Sequence, residues 1–368
     1  MDKHCKVLHI ALSHGGGVEV YTRMLIGHTH KIFDTVLVCS SEYNKVLLPE
    51  SCKTYELDIP REIAPLKDLK AAFIIRKIIK KEKPDVVYCH SSMAGAVGRI
   101  VAMGLCRKVV YNPHGWSFDM EISSKKKAFY RMLEKSLAKI TDKIITISEY
   151  EKNTALSNRI CKEEKIQVIL NGIDLEKCRK SNRSRDDFGY SEKDYIVGCC
   201  ARISEQKDPL LFAEVAGRIV KKCSEARFVW VGDGEMKAEF VSALKKYNVY
   251  EKTLITGWVD NPCEYISLFD IAVLFSKWEG FGLCLAEYVA EGKPVVATNV
   301  GAIPEVLKDV EYAKVSDSRN ADFLAELVLS YKELKNTEEI RGKCTLDSKK
   351  FDFRITAEKT VDVIENLL

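Results

Sequence analysis

Residues 271–287 read IAVLFSKWEGFGLCLAE. The first five, Ile271 to Phe275, make a short continuous apolar run of the kind that a parallel sheet buries on both faces. Gly280-Phe-Gly282 then reads as a turn, and the apolar sequence from Leu283 as the start of a helix. A strand that feeds a helix through a glycine turn is one half of a βαβ unit. Two acids, Glu279 and Glu287, bracket the turn and the helix start. The first stands just before the helix N-terminus, where a negative charge favours the dipole. The second lies one turn past Leu283 on the same face, turned either to solvent or to a ligand.

The same alternation runs through the chain. Strand-like runs stand at Val7–Leu12, Val36–Cys39, Val86–Cys89, Val109–Asn112, Ile144–Ile147 and Gln167–Leu170, with amphipathic stretches such as Leu66–Lys81 and Lys126–Ile140 between them. The second half repeats the scheme at Tyr195–Cys200, Arg227–Val231, Thr253–Thr256, Ile271–Phe275 and Val295–Ala297, with helices expected near 208–221, 235–246, 281–291 and 321–334. Alternation twice over predicts an α/β chain of two Rossmann-like, doubly wound parallel-sheet domains facing a cleft. A seam is expected after Asn171-Gly-Ile-Asp174, through the polar stretch Lys177–Asp187, which gives domains 1–173 and 174–353.

Composition agrees. The 368 residues are 46% hydrophobic and 30% charged, ordinary globular usage over about two domains' length. No apolar run approaches the roughly 18–20 residues needed to cross a bilayer. The chain enters a strand-like segment at once, so no signal peptide is expected. Thirteen cysteines, an odd number, are scattered without a C-x-x-C pair, which predicts a reduced, cytoplasmic protein with buried thiols and no zinc. Residues 1–180 hold 31 Lys and Arg against 21 Asp and Glu, and the remainder 26 against 32. The basic half suits an anionic membrane, nucleic acid or a phosphorylated ligand, or is simply a lysine-rich surface. Lys125-Lys-Lys127, Arg131, Lys135, Lys139 and Lys143 stud one helix whose other face carries Phe129, Met132, Leu133, Leu137 and Ile140. That pattern fits a membrane-surface helix or one packed on the sheet. No nucleic-acid motif is visible, so no nucleic-acid partner is expected.

Open parallel sheets bind ligands beyond the carboxyl ends of their strands. Glycine, histidine and charge crowd those ends: Ser13-His-Gly-Gly-Gly17, His90-Ser-Ser92, Asn112-Pro-His-Gly115, Ala201-Arg202, Gly232-Asp-Gly-Glu235, Gly257-Trp-Val-Asp260 and Ser276–Gly282. Gly15-Gly-Gly17 is either a tight turn or an anion cradle at a helix start. Val20 stands where a dinucleotide fingerprint needs its third glycine, and no P-loop occurs. Arg202 and Lys207, before the helix start at Asp208-Pro209, either converge on a diphosphate or pair with Glu205 and Asp208.

Taken in order, these motifs resemble the retaining glycosyltransferases of family 4, with the GT-B architecture and the bacterial surface-polysaccharide type. The matching pieces are His14-Gly-Gly-Gly-Val-Glu19, Asn112-Pro-His-Gly-Trp116, Ile144-Ile-Thr-Ile-Ser-Glu149, Leu170-Asn-Gly-Ile-Asp174, Arg202 to Lys207, Gly232-Asp-Gly-Glu235, Gly257-Trp-Val-Asp-Asn-Pro262, Glu279 to Glu287 and Val300-Gly-Ala-Ile-Pro-Glu305. The spaced glutamates are that family's E-x7-E signature. The sequence departs from it at Ala201 and Ala302, where glycine is frequent.

The resemblance implies a first domain on the acceptor side, with a terminal helix, about 354–368, packing back on it, and a second domain that holds a nucleotide sugar, most often UDP-linked. It implies that Glu287 and Val259 bind the nucleotide, and that Glu279 with the amides of Phe281, Gly282 and Leu283 contacts the transferred sugar. Arg202, Lys207, Gly16 and Gly17 would neutralise the diphosphate. His114 and Glu279 would stand at the reacting carbon. No D-x-D occurs, so neither a metal nor another cofactor is expected. The expected reaction is transfer of a hexosyl or N-acetylhexosaminyl group to a lipid-linked or glycan acceptor, in a protein peripheral to the cytoplasmic face of the inner membrane. Two alternatives remain at this level: a nucleotide-sugar 2-epimerase on the same scaffold, and a non-catalytic partner subunit of a transferase.

Overall fold

A computed structural model describes residues 5–13, 15–57, 65–179, 184–333 and 338–368. His14 of the glycine-rich motif and residues 180–183 of the expected seam lie outside them. The chain divides into two units, Met1–Gly172 with Phe353–Leu368, and Ile173–Asp352.

The first unit holds a seven-stranded sheet, β1 (Lys6–Ala11), β2 (Asp34–Ser40), β3 (Lys53–Leu57), β4 (Val86–His90), β5 (Lys108–Asn112), β6 (Lys143–Thr146) and β7 (Ile166–Val168), in the order β3-β2-β1-β4-β5-β6-β7. The second holds β8 (Tyr195–Cys200), β9 (Ala226–Val231), β10 (Thr253–Ile255), β11 (Ile271–Leu274), β12 (Val295–Thr298) and β13 (Ala313–Ser316), in the order β10-β9-β8-β11-β12-β13. All named pairs are parallel. Central strands such as β4 and β11 are buried along their whole length, because helices cover both faces and leave no polar side.

Two strands escape a reading by apolar runs. Both β3 (KTYEL) and β13 (AKVS) lie at sheet edges, carry charge and are mostly exposed or half-buried. An edge strand needs only one neighbour and keeps little apolar signal. The helix Phe353–Leu367 buries Phe353, Ala357, Val363 and Ile364 with Val7, Tyr21, Leu25, Tyr88 and Val110 of the first unit. Thr356 Oγ1 donates to Leu170 O at 2.8 Å. Gly172 lies against its backbone: a Cβ there would meet Phe353 Cα at 2.5 Å.

In each sheet the strand order reverses once, between β1 and β4 and between β8 and β11. Loops that follow strands at such a reversal diverge and leave a crevice. In the second unit those loops are Ala201–Lys207 and Ser276–Gly282.

Candidate functional site

The two loops meet in the second unit. Lys207, from the loop after β8, forms an ion pair with Glu279, from the loop after β11. Glu279 is 9% exposed and also accepts from Gln206 Nε2 at 3.4 Å, Ser276 Oγ at 3.3 Å and its own neighbour Gly280 N at 3.2 Å. Its carbonyl is clamped too: a Cβ on Gly301, whose φ is +55°, would stand 1.8 Å from Glu279 O. Burial presses the Lys207 ammonium towards neutrality, but Glu279 and the thiols of Cys284 and Cys199 outweigh it and raise its pKa above the ordinary value. Lys207 is therefore a fixed cation at the mouth of the helix Leu283–Ala290.

That helix has Gly282 as N-cap, at φ 77°, and no side-chain cap. The first amides of the helix accordingly keep their donors free of a capping side chain. Glu287 follows one turn on. Its carboxylate is half-buried and has no hydrogen-bond partner among the described residues, and burial pushes its pKa up to about 7 against the opposing pull of Lys177. Arg202, half-buried at the end of β8, likewise has no partner among the described residues. Trp258 and Val259 follow β10; Val259 is half-buried, and Lys177 Nζ reaches the carbonyl of Asp260 at 2.6 Å. Phe281 points inward, edge-on to Phe351 at 6.2 Å between ring centres, so what it offers a ligand is backbone rather than ring.

The pairs expected of a plain surface loop are not formed. Glu205 faces Lys277, and Asp208 faces Arg319, leaving Lys207 to Glu279. Arg319 was not foreseen. Its guanidinium donates to Ser276 O, Phe275 O and Asp208 Oδ2 at 2.7, 3.0 and 2.6 Å, so it ties the end of β11 to the start of the helix Pro209–Val220. It stands thirty-two residues past Glu287, with no motif to point at it.

In the first unit, Gly16 caps the helix Gly17–Thr29 at φ 83°, with no side-chain cap. Glu19 takes the Gly15 amide at 2.7 Å, while the amides of Gly16 and Gly17 have no partner among the described residues. His114 stands just past β5 in the left-handed region, φ 51°. Its amide donates to Asn112 Oδ1 at 3.0 Å, and the next amide, Gly115 N, to Glu151 Oε1 at 2.6 Å. Glu151 also takes Ile147 N at 2.8 Å, so it locks the Pro-His-Gly turn to the end of β6. No sequence motif points to Glu151: the matching stretch ends at Glu149, which is exposed.

The helix Ser124–Leu137 corrects a reading. Phe129, Met132, Leu133 and Leu137 do not share one face: Glu134 and Leu137 are buried, whereas Phe129 is 54% and Met132 62% exposed beside Lys125, Lys126 and Arg131. A buried pair explains the exchange. Glu134 binds Arg99 at 2.8 Å and accepts from Tyr111 Oη at 3.0 Å, and the Arg99 guanidinium lies 3.8 Å from the Tyr111 ring centre. The acid takes the inward position that an apolar count gives to its neighbours.

For a metal, the described residues offer Cys178, Cys263 and Glu291, whose ligand atoms lie within 4.8 Å of one another. A hydrogen bond to Cys178, together with burial, raises the Cys263 thiol pKa far above its usual range. No described helix is long and apolar enough to cross a membrane.

The family models for "Glycosyltransferase Family 4" and "Glycosyl transferases group 1" match residues 15–177 and 180–345. The chain is 31% identical, over 278 residues, to an Escherichia coli protein named UDP-Gal:alpha-D-GlcNAc-diphosphoundecaprenol alpha-1,3-galactosyltransferase, covering 73% of this chain and 72% of that one. It is also 31% identical over 337 residues to an uncharacterised 41.2 kDa protein in the cps region of Klebsiella pneumoniae, 88% and 89% of the two chains. Among solved structures it is similar to HepE of Anabaena in complex with UDP and glucose, with TM-score 0.81, 18% identity and coverage of 98% and 100%. The two halves thus meet the two halves of one enzyme type: the chain belongs to the family 4 glycosyltransferases, and its paired Rossmann-like units are their GT-B fold.

Proposed function

We propose that this chain is a retaining glycosyltransferase that moves a hexosyl or N-acetylhexosaminyl group from a UDP-sugar to a hydroxyl of a lipid-linked or glycan acceptor in cell-surface polysaccharide synthesis. The carboxylate of Glu287 carries the reading. It is half-buried without a protein partner among the described residues, and a carboxylate has room for two hydrogen bonds from the vicinal hydroxyls of a ribose. Val259 would lie near the base. Arg202, which has no side-chain partner among the described residues, and the fixed Lys207 would neutralise the diphosphate, with the amides of Gly16 and Gly17 as further donors. Glu279 and the amides of Phe281, Gly282 and Leu283 would hold the transferred sugar, and His114 would line it.

Departure of the diphosphate breaks the bond between the anomeric carbon and a phosphate oxygen. Fixed cations and helix-end amides stabilise the negative charge that develops there, so the proposed chemistry has no metal. The acceptor oxygen bonds to the anomeric carbon on the face that the phosphate leaves, and its proton passes to that phosphate, which retains the configuration. Glu279 positions and polarises; it is already spent on Lys207.

The named activity of the E. coli relative, with a UDP-linked donor and a diphosphoundecaprenol-linked acceptor, supports this choice of substrates, as does UDP in the Anabaena structure. The exposed Phe129 and Met132 among lysines support peripheral attachment to the anionic cytoplasmic face of the inner membrane. Thermal unfolding against UDP-, GDP- and ADP-sugars tests the donor. One UDP-sugar at 100 times its dissociation constant should add about 2.7 kcal/mol, and Glu287→Ala should remove most of that gain. Stabilisation by none of them, or an undiminished gain in the variant, would overturn the assignment.

A further inference from the structure

Three histidines of the first unit form a continuous chain. His9 Nδ1 lies 3.1 Å from His90 Nε2, and His90 Nδ1 lies 3.2 Å from His114 Nε2. The sheet builds the chain as a staircase. His9 on β1 is in register with Tyr88 of β4, so His90 is one strand over and two residues on. His90 is in register with Asn112 of β5, and His114 is again one strand over and two residues on. The two-residue step puts His9 and His90 on one face of the parallel sheet, and His114, in the turn past β5, meets that face through its contact with His90. His9 and His90 are fully buried and His114 half-buried.

The proton count follows from the contacts. Burial holds His9 and His114 down to about 3 and His90 well below the usual imidazole range, so all three are neutral near pH 7. Tyr21 and Tyr88 are the other titratable groups packed on the rings. The carboxylate next along the chain, Glu151, is turned to Gly115 N and Ile147 N. Three neutral imidazoles carry three N–H protons. Two of these fill the two contacts, and the third must sit at an end, on His114 Nδ1 or on His9 Nε2. At the half-buried end water can accept that proton, which favours His114 Nδ1.

We propose that His90, backed by His9, is a positioning residue that fixes His114 in the tautomer with its proton on Nδ1, so that His114 meets the sugar as a hydrogen-bond donor. Neither His90 nor His9 touches substrate; each acts through the ring in front of it. The part of this that concerns sugar rests on the function proposed above, whereas the tautomer does not.

Imidazole nitrogen NMR of the intact protein, labelled at histidine, separates the two. We expect His114 as a single neutral Nδ1–H tautomer from pH 5.5 to 8. His90→Phe should turn it into a tautomer mixture or let it protonate in that range, and His90→Asn, which keeps a donor at the Nδ1 position, should restore the single tautomer. In a transfer assay His90→Phe should lower kcat about 10- to 100-fold, the size of loss seen when a metal-bound histidine loses its outer-shell partner, with donor KM little changed and partial recovery in His90→Asn. The folded state of each variant is checked by its stabilisation with the UDP-sugar. A charged or Nε2–H His114 in the unaltered protein, or His114 signals indifferent to His90→Phe, overturns the relay. An intact NMR response with unaltered kcat reduces His90 to a packing residue and overturns the positioning role.

Discussion

In its proposed role, Glu287 sets ligand against proton. Its pKa, raised to about 7 by burial, leaves much of it protonated in the free protein at neutral pH. The carboxylate form is the one that accepts two hydroxyl donors, so donor binding should pull the proton off. The sign is therefore definite: affinity for the UDP-sugar should rise as pH increases through about 7, and protons should be released on binding near pH 6.5. Calorimetry in two buffers of different ionisation enthalpy reads this directly. Glu287→Gln should bind more weakly and release none. The spacing of Glu279 and Glu287 was legible as sequence; their different fates were not. One is spent on Lys207 and Ser276 and the other has no partner among the described residues, because pairing depends on which loop lies across the strand order's reversal.

Among the elements, the contact of Arg99 with Glu134 shows how the helices Ser92–Ala102 and Ser124–Leu137 are pinned over β5. Both partners are buried, at 0% and 5% of side-chain exposure, and Tyr111 completes the set. Removing one partner leaves an uncompensated buried charge, which typically costs about 3–5 kcal/mol. Glu134→Leu should therefore lower stability by about that much in urea or thermal unfolding. Pairing it with Arg99→Met should recover most of the loss, since an apolar pair of similar volume carries no charge to desolvate. If the double variant is as unstable as the single one, the pair is holding the helices by more than charge balance. The central strands were readable because burial on both faces writes continuous apolar runs. The edge strands β3 and β13 were not, for the opposite reason.

For the molecule as a whole, charge is divided along the chain. The first 180 residues are basic, and the exposed Phe129 and Met132 belong to them. Flotation with liposomes should recover the protein on anionic vesicles and less on neutral ones, and Phe129→Ser with Met132→Ser should reduce recovery while leaving the UDP-sugar stabilisation intact. Equal recovery on both vesicle types removes the reason for a membrane partner. The proposed metal-free departure of the diphosphate predicts that EDTA leaves the transfer rate within about twofold; loss of activity that magnesium restores would call for a cation where Arg202 and Lys207 are now placed.

By itself the sequence determined the period of the chain, strand against helix twice over, and with it the residues that stand just past each strand. Those are local properties, set by side-chain size and by glycine where the backbone must turn. Only the tertiary structure decided who meets whom. It drew Lys207 to Glu279 across 72 residues, set His9, His90 and His114 on one staircase, and turned Phe129 outward by giving the inward place to Glu134. Each of these rests on the register between strands or helices distant in the chain, and that register is fixed by packing of the whole core rather than by any stretch of residues read alone.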